Sequence, residues 1–207
     1  MNTKKNSIAG YQHITHTFGP MFDADSEILI LGSLPSVQSR AQQFYYGHPQ
    51  NRFWKVLAAV YQNPVPVSIE EKKAFLQKNH VALWDVIASC DIVGSSDSSI
   101  KNVKENDINV ILKSAAIKAI YLNGGKAYEL FIKYCKGTLQ NMDLLESAEP
   151  MTMASKNIPR SVQQPRIVKL PSTSPANAAW SLERLIHTWG AEILVAGTVQ
   201  VGKWNCL

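Results

Sequence analysis

Apolar residues along this chain fall into two patterns that take turns: short unbroken runs, and stretches that recur every three or four positions. Glu27 to Leu34 reads Glu-Ile-Leu-Ile-Leu-Gly-Ser-Leu, continuously apolar at its centre. That predicts a buried parallel strand running into a loop. Phe53, Val56, Leu57, Val60 and Tyr61 then recur at helical spacing until Asn63-Pro64 stops them, which predicts a helix of about three turns. Ser68 followed by Glu71 forms a capping-box pattern opening a second helix through Phe75 and Leu76, and Val81 to Val86 follows as a strand.

The alternation continues. Asn106 to Lys113 carries Ile108, Ile111 and Leu112 on one helical face, and Ala119 to Leu122 is a strand ahead of Asn123-Gly124-Gly125. Lys126 to Lys136 is helical, with Ala127, Leu130, Phe131 and Tyr134 inward. Arg166 to Leu170 is a fourth strand, ending in Pro171-Ser172-Thr173-Ser174-Pro175. Ala179, Leu182, Leu185, Ile186 and Trp189 mark a last helix. Strand-helix alternation predicts an α/β fold, a three-layer α/β/α sandwich on a central, mostly parallel sheet of about four strands. Residues 1–207 are read as a single domain. The stretch 143–164 is rich in Ser, Met, Pro and Gln and reads as an inserted loop, Ala191 to Ala196 as a further strand, and 197–207 as a tail.

Composition narrows the class. The 207 residues are 45% hydrophobic and 18% charged, a profile that excludes disorder and collagen-like repeats. No apolar run reaches the ~18 residues of a membrane span, and the polar start, Met1 to Ser7, has no signal-like stretch behind it. A cytoplasmic, nucleoid-associated protein with no membrane partner is expected. Twenty-one Lys and Arg against 16 Asp and Glu give a net charge of +5, which favours nucleic acid or phosphorylated ligands without naming one. Cys90, Cys135 and Cys206 are scattered and in no CxxC pattern, which argues against a disulfide framework, a zinc site or a four-cysteine iron–sulfur cluster. His13 and His16 have HxxH spacing but no third ligand, so no metal and no cofactor is expected. Walker, GxGxxG and GxSxG patterns are missing from the sequence, against nucleotide hydrolysis, dinucleotide binding and a serine-hydrolase elbow.

In an open α/β sheet, ligands sit beyond the carboxyl ends of the strands, so the four loops there are the candidate site. Two of them are Ser/Pro-rich, offering hydroxyls and backbone N–H groups suited to phosphate oxygens. Gly-Ser-Leu-Pro at 32–35, Tyr-Tyr-Gly-His-Pro-Gln-Asn-Arg-Phe-Trp at 45–54, Leu-Trp-Asp-Val-Ile-Ala-Ser-Cys at 83–90, Leu-Asn-Gly-Gly-Lys-Ala at 122–127 and Leu-Pro-Ser-Thr-Ser-Pro-Ala-Asn-Ala at 170–178 resemble the uracil-DNA glycosylase superfamily. Within it they are most similar to the hypoxanthine (deoxyinosine) DNA glycosylase branch. The resemblance runs from about Tyr11 to Trp189.

That resemblance implies a monofunctional DNA glycosylase of base-excision repair. Such an enzyme flips a deaminated base, hypoxanthine and also uracil, out of DNA, hydrolyses its N-glycosidic bond and leaves an abasic site. Its partner is DNA containing a deaminated base, and a monomer suffices. By the same resemblance Tyr46 stacks on the flipped base, the alternative being a core tyrosine. The slot that holds an acidic or amide residue in other relatives is Leu34, which cannot polarise water. The catalytic role moves to Asn51, whose amide holds water and stabilises an oxocarbenium-like transition state by hydrogen bonding, with a helix N-cap as the alternative or a concurrent role. Asp85 occupies the position of a base-reading asparagine, or else caps a helix or pairs with Arg52. Asn123 contacts the base or shapes a turn. Leu170 replaces a histidine that stabilises the leaving base, which implies slower chemistry helped by purine N7 protonation. Ser36, Ser39, Ser172, Thr173 and Ser174 are phosphate contacts, with turn formation as the alternative for the first two. Pro175-Ala176-Asn177 forms a wedge entering the duplex, with helix capping as the alternative for Asn177. Two further readings stay open: a non-catalytic nucleic-acid-binding module on the same fold, and an N-glycosidase of free nucleosides.

Overall fold

The structure is a computed structural model and describes residues 10–94, 97–137 and 164–195. Four strands form a parallel sheet: β2 (Ile28–Gly32), β3 (Val81–Asp85), β6 (Ala119–Asn123) and β7 (Arg166–Leu170), in the order β3-β2-β6-β7. The first two are buried at every position and β6 at all but its last. Both faces of a parallel sheet are covered, so the sequence carries unbroken apolar runs rather than alternation. Helices α1 (Val37–Gln42), α2 (Phe53–Val60), α3 (Ile69–Lys78), α4 (Asn109–Leu112), α5 (Gly125–Tyr134) and α6 (Leu182–Val195) accompany the strands. Of these, α3 packs on β3, α5 on β6 and β7, and α2 against α6. The α2–α6 contact centres on Phe53 and Trp189, both fully buried and edge-to-face at 5.9 Å. The expected α/β fold, a four-stranded parallel sheet flanked by helices, is the one observed.

Two findings differ from the sequence reading. A second, antiparallel sheet of β1 (Tyr11–Thr15), β4 (Ile87–Val93) and β5 (Lys101–Glu105) lies outside the expected alternation. Its strands are only partly buried and rich in polar residues. The strand expected over Ala191 to Ala196 is instead the end of α6, which continues to Val195. Leu185, Trp189 and Ile193, all fully buried, recur every fourth position and carry one apolar helical face through the segment. The inserted loop expected over 143–164 lies, apart from Gln164, outside the described residues, as does the tail 197–207. The capping box opening α3 is present with both of its hydrogen bonds.

Candidate active site

Because the sheet is parallel, its four strands deliver their carboxyl ends to one edge. The register puts Gly32 beside Asp85 and Asn123 beside Leu170. The loops leaving those positions enclose a cavity of about 350 Å3 lined by Gly32, Leu34, Tyr46, Asn51, Asp85 and Asn123, with Ser36, Ser39, Ser172, Ser174 and Ala176 around them. Residues from five separate segments of the sequence thus meet at one place, which is the switch-point edge where open α/β sheets bind ligands.

Asn51, Thr173 and Asn123 form a chain of hydrogen bonds whose direction is fixed at both ends. Asn123 Oδ1 accepts the Thr173 backbone N–H (2.9 Å), so Asn123 Nδ2 is the end that donates to Thr173 Oγ1 (2.9 Å). The Thr173 hydroxyl proton then goes to Asn51 Oδ1 (2.9 Å), which also accepts the Phe53 N–H (3.0 Å). A carbonyl oxygen has two lone pairs, and both are occupied. The amide nitrogen of Asn51 is therefore the end offered to a ligand, and it is a donor. Asn51 is not the N-cap of α2, a position held by Arg52 without a side-chain cap; it stands one residue earlier and closes a turn by accepting the Phe53 N–H.

Asp85 ends β3 with its side chain 7% exposed, and its Oδ2 accepts from Nε2 of His16 (2.9 Å), itself 3% exposed. Asp85 caps no helix and does not pair with Arg52. The Gly32 backbone makes room for this carboxylate, since a Cβ there would lie 2.2 Å from Asp85 Oδ1. Tyr46 lies over the same spot. It adopts a left-handed backbone (φ 52°), uncommon for an aromatic residue and a mark of local strain. Its ring lies flat on Phe53, with centroids 3.7 Å apart. One face is thus covered by protein, and the residue lines the cavity. The Tyr46 hydroxyl is buried without a partner, with Asn123 near it but closing no hydrogen bond of normal geometry. Burial first, and the Asp85 carboxylate second, push the phenols of both Tyr45 and Tyr46 far above the ordinary tyrosine range. Tyr46 is therefore a permanent O–H donor, while Tyr45 spends its hydroxyl on the Gly19 carbonyl (2.8 Å).

Arg52, adjacent to Asn51, organises the last loop. Its guanidinium donates to the carbonyls of Thr173 (3.3 Å), Ser174 (2.7 Å), Asn177 (3.1 Å) and Trp180. Within that loop Ser172 Oγ accepts the Ser174 N–H and Ser174 Oγ accepts the Ala176 N–H, which leaves both hydroxyl protons available. Asn177 Nδ2 donates to the Ser172 carbonyl (2.9 Å). Pro175 and Ala176 are exposed at the tip. Thr173, by contrast, is fully buried, its hydroxyl committed to the two asparagines. Ser36 caps α1 by accepting the Ser39 N–H. Ser39 is 2% exposed, and its hydroxyl accepts the Gly47 N–H.

Sequence reasoning did not single out His16, Arg52 or the bridging role of Thr173. His16 drew notice only through its spacing from His13. On an extended chain positions i and i+3 face opposite sides, and the two rings go to different aspartates, Asp91 and Asp85.

The model of the uracil DNA glycosylase superfamily matches residues 20–191 of this chain. A curated hypoxanthine DNA glycosylase of Methanosarcina acetivorans is 38% identical over 118 residues, 56% of this chain and 75% of its own. One of Methanosarcina barkeri is 34% identical over 114 residues, 54% of this chain and 72% of its own. The solution NMR structure of a Methanosarcina acetivorans protein assigned to the uracil DNA glycosylases superposes with a TM-score of 0.65 at 30% identity, covering 86% of this chain and 96% of that one.

Proposed function

The chain belongs to the uracil DNA glycosylase superfamily, and from that premise we propose that it is a monofunctional DNA glycosylase releasing hypoxanthine, and uracil as a second substrate, from DNA. One observation carries this reading. An aromatic ring, a carboxylate and an amide N–H converge on a base-sized cavity beside the exposed Pro175-Ala176 tip. A flipped nucleotide needs each of these: a surface to stack on, groups to read its edge, and a wedge to fill the gap left in the duplex.

In hydrolysis the bond between the sugar C1′ and the base nitrogen breaks with its electron pair moving to the base, water oxygen bonds to C1′, and the proton that water gives up ends on the departing base. Positive charge develops on the sugar and negative charge on the departing base. With leucine at position 34 no carboxylate is placed there to activate water, so stabilising the leaving base becomes the larger task. Asn51 Nδ2 is the donor for that charge. Asp85 accepts from a ring N–H. Ser172, Ser174 and the α1 terminus at Ser36 face the phosphates flanking the flipped nucleotide. Thr173 does a different job: it orients the Asn51 amide.

The test is incubation with duplexes bearing a single deoxyinosine or deoxyuridine, followed by alkali. Strand cleavage at the modified site only after alkali is expected. Failure to release any deaminated base with enzyme in excess would overturn the reading, and release from free deoxyinosine as fast as from duplex would assign the protein to nucleosides instead. Thr173→Val should preserve packing but leave Asn123 Nδ2 buried and unpaired, costing about 1–3 kcal/mol of stability. It should also slow single-turnover base release by roughly tenfold, because the Asn51 amide is then free to turn. Urea unfolding and quench-flow rates check both halves. An unchanged rate in a destabilised Thr173→Val protein would remove threonine from the mechanism.

A further inference from the structure

His16 does not line the cavity. It stands behind Asp85, and nothing in the reaction outlined above uses it. Its Nδ1 is buried without a partner, a cost that an apolar side chain of similar size would avoid. What the residue contributes in return is the Nε2 donor at 2.9 Å from Asp85 Oδ2.

We propose that His16 is a positioning residue for base selection. By engaging Oδ2 it fixes Asp85 Oδ1 as an acceptor, which selects the ring N–H that deamination creates. The proposal rests on the glycosylase reading and names the chemical edge that its site recognises.

The geometry is compact. A Cβ built on Gly32 would lie 2.2 Å from Asp85 Oδ1, so that oxygen is pressed against Gly32, where both residues line the cavity. The carboxylate's side-chain hydrogen bond goes through Oδ2, and Oδ1 is left to accept from a ligand. A ligand that satisfies it must offer a ring N–H at that position. Adenine offers an N1 lone pair, whereas hypoxanthine offers N1–H. Cytosine and uracil differ in the same way at N3. The wrong base therefore sets a lone pair against the Asp85 oxygen, and buried mismatches of this kind discriminate strongly. Guanine and thymine carry the same ring N–H, so this contact does not set them apart.

The histidine matters because a carboxyl group is adaptable. Released from His16, the Asp85 carboxylate can rotate and no longer presents Oδ1 in one direction. The titratable groups facing Asp85 are His16, one residue beyond β1, and Tyr45 and Tyr46 after α1. Tyr45 spends its hydroxyl on the Gly19 carbonyl and the Tyr46 hydroxyl has no partner, so neither takes the place of the His16 N–H.

The experiment compares the unaltered protein with His16→Leu and His16→Gln on duplexes containing 2′-fluoro deoxyinosine, 2′-fluoro deoxyadenosine or an abasic-site analogue. The fluoro sugars resist hydrolysis, so affinity is read by fluorescence anisotropy without turnover, and base release from ordinary deoxyinosine is followed in parallel. The unaltered protein should prefer the hypoxanthine duplex. His16→Leu should cut that preference by about tenfold or more, the worth of one hydrogen bond to a charged group, and keep abasic-site affinity within about twofold, since that contact involves no base. His16→Gln, which restores an N–H toward Oδ2, should recover most of the preference. Undiminished preference in His16→Leu would overturn the proposal, as would a parallel loss of abasic-site affinity not rescued by glutamine. So would a lack of preference in the unaltered protein. Preference without any base release would overturn the glycosylase reading and leave base selection standing; release with a preference that His16→Leu does not change would do the opposite.

Discussion

Asn51→Asp should abolish base release as thoroughly as Asn51→Ala, each slowing it by about 10²–10³-fold, the usual loss on removing one donor aimed at developing charge. The pairing of the two variants separates the mechanisms. Asparagine at this position invites the idea that its carbonyl draws a proton from water, and by that logic aspartate, a far stronger base, would keep or raise activity. In the structure the Asn51 carbonyl is already occupied by the Phe53 N–H and the Thr173 hydroxyl. Only Nδ2 faces the ligand, and a carboxylate has no N–H to put in its place. Aspartate would accept the same two hydrogen bonds and so should fold normally, while setting a negative charge against a base that is becoming negative. Single-turnover release from a deoxyinosine duplex decides the matter. Full or enhanced activity in Asn51→Asp would show that the residue works through water.

Arg52→Ala should produce the largest loss of stability, about 3–4 kcal/mol from several hydrogen bonds donated by one charged group. For a chain of this length that lowers the melting temperature by roughly 6–16 °C. The guanidinium joins the start of α2 to four carbonyls of the loop between Thr173 and Trp180. Arg52→Lys should recover little, since an ammonium cannot span that many acceptors in a planar fan. Loosening the loop also frees the Pro175-Ala176 tip, so affinity for an abasic-site duplex should fall along with stability. An Arg52→Ala protein melting within about 2 °C of the unaltered one would contradict the clamp.

The parallel sheet and its helices were legible because burial on both faces leaves unbroken apolar runs such as Ile28 to Leu31 and Ala119 to Leu122. The antiparallel sheet was not. Tyr11–Thr15 and Lys101–Glu105 hold mostly polar, half-exposed side chains, and what makes them strands is pairing with Ile87–Val93, a contact remote in sequence. Ala191 to Val195 failed for another reason: a short apolar run has no period of its own, and the buried face begun at Leu185 decides its conformation. At the site, Leu34, Tyr46, Asn51, Asp85 and Asn123, singled out through the family resemblance, all line the cavity. The residues that position them, His16 for Asp85, Thr173 for Asn51 and Arg52 for the last loop, were hidden because each acts on a partner 69 or more positions away.

The two-ended anchoring of the asparagines has a consequence for engineering. Both termini of the Asn51–Thr173–Asn123 chain are main-chain N–H groups, those of Phe53 and Thr173, and every L-amino acid except proline supplies such a group. The polarity of the Asn51 amide is thus set by backbone geometry together with the Thr173 hydroxyl, and side-chain replacements that keep this threonine do not invert which end is left for a ligand. Libraries aimed at new base preferences can therefore randomise Leu34, Tyr46 and Asp85 while the donor at Asn51 keeps its direction, provided Thr173 is kept and proline is withheld from position 53.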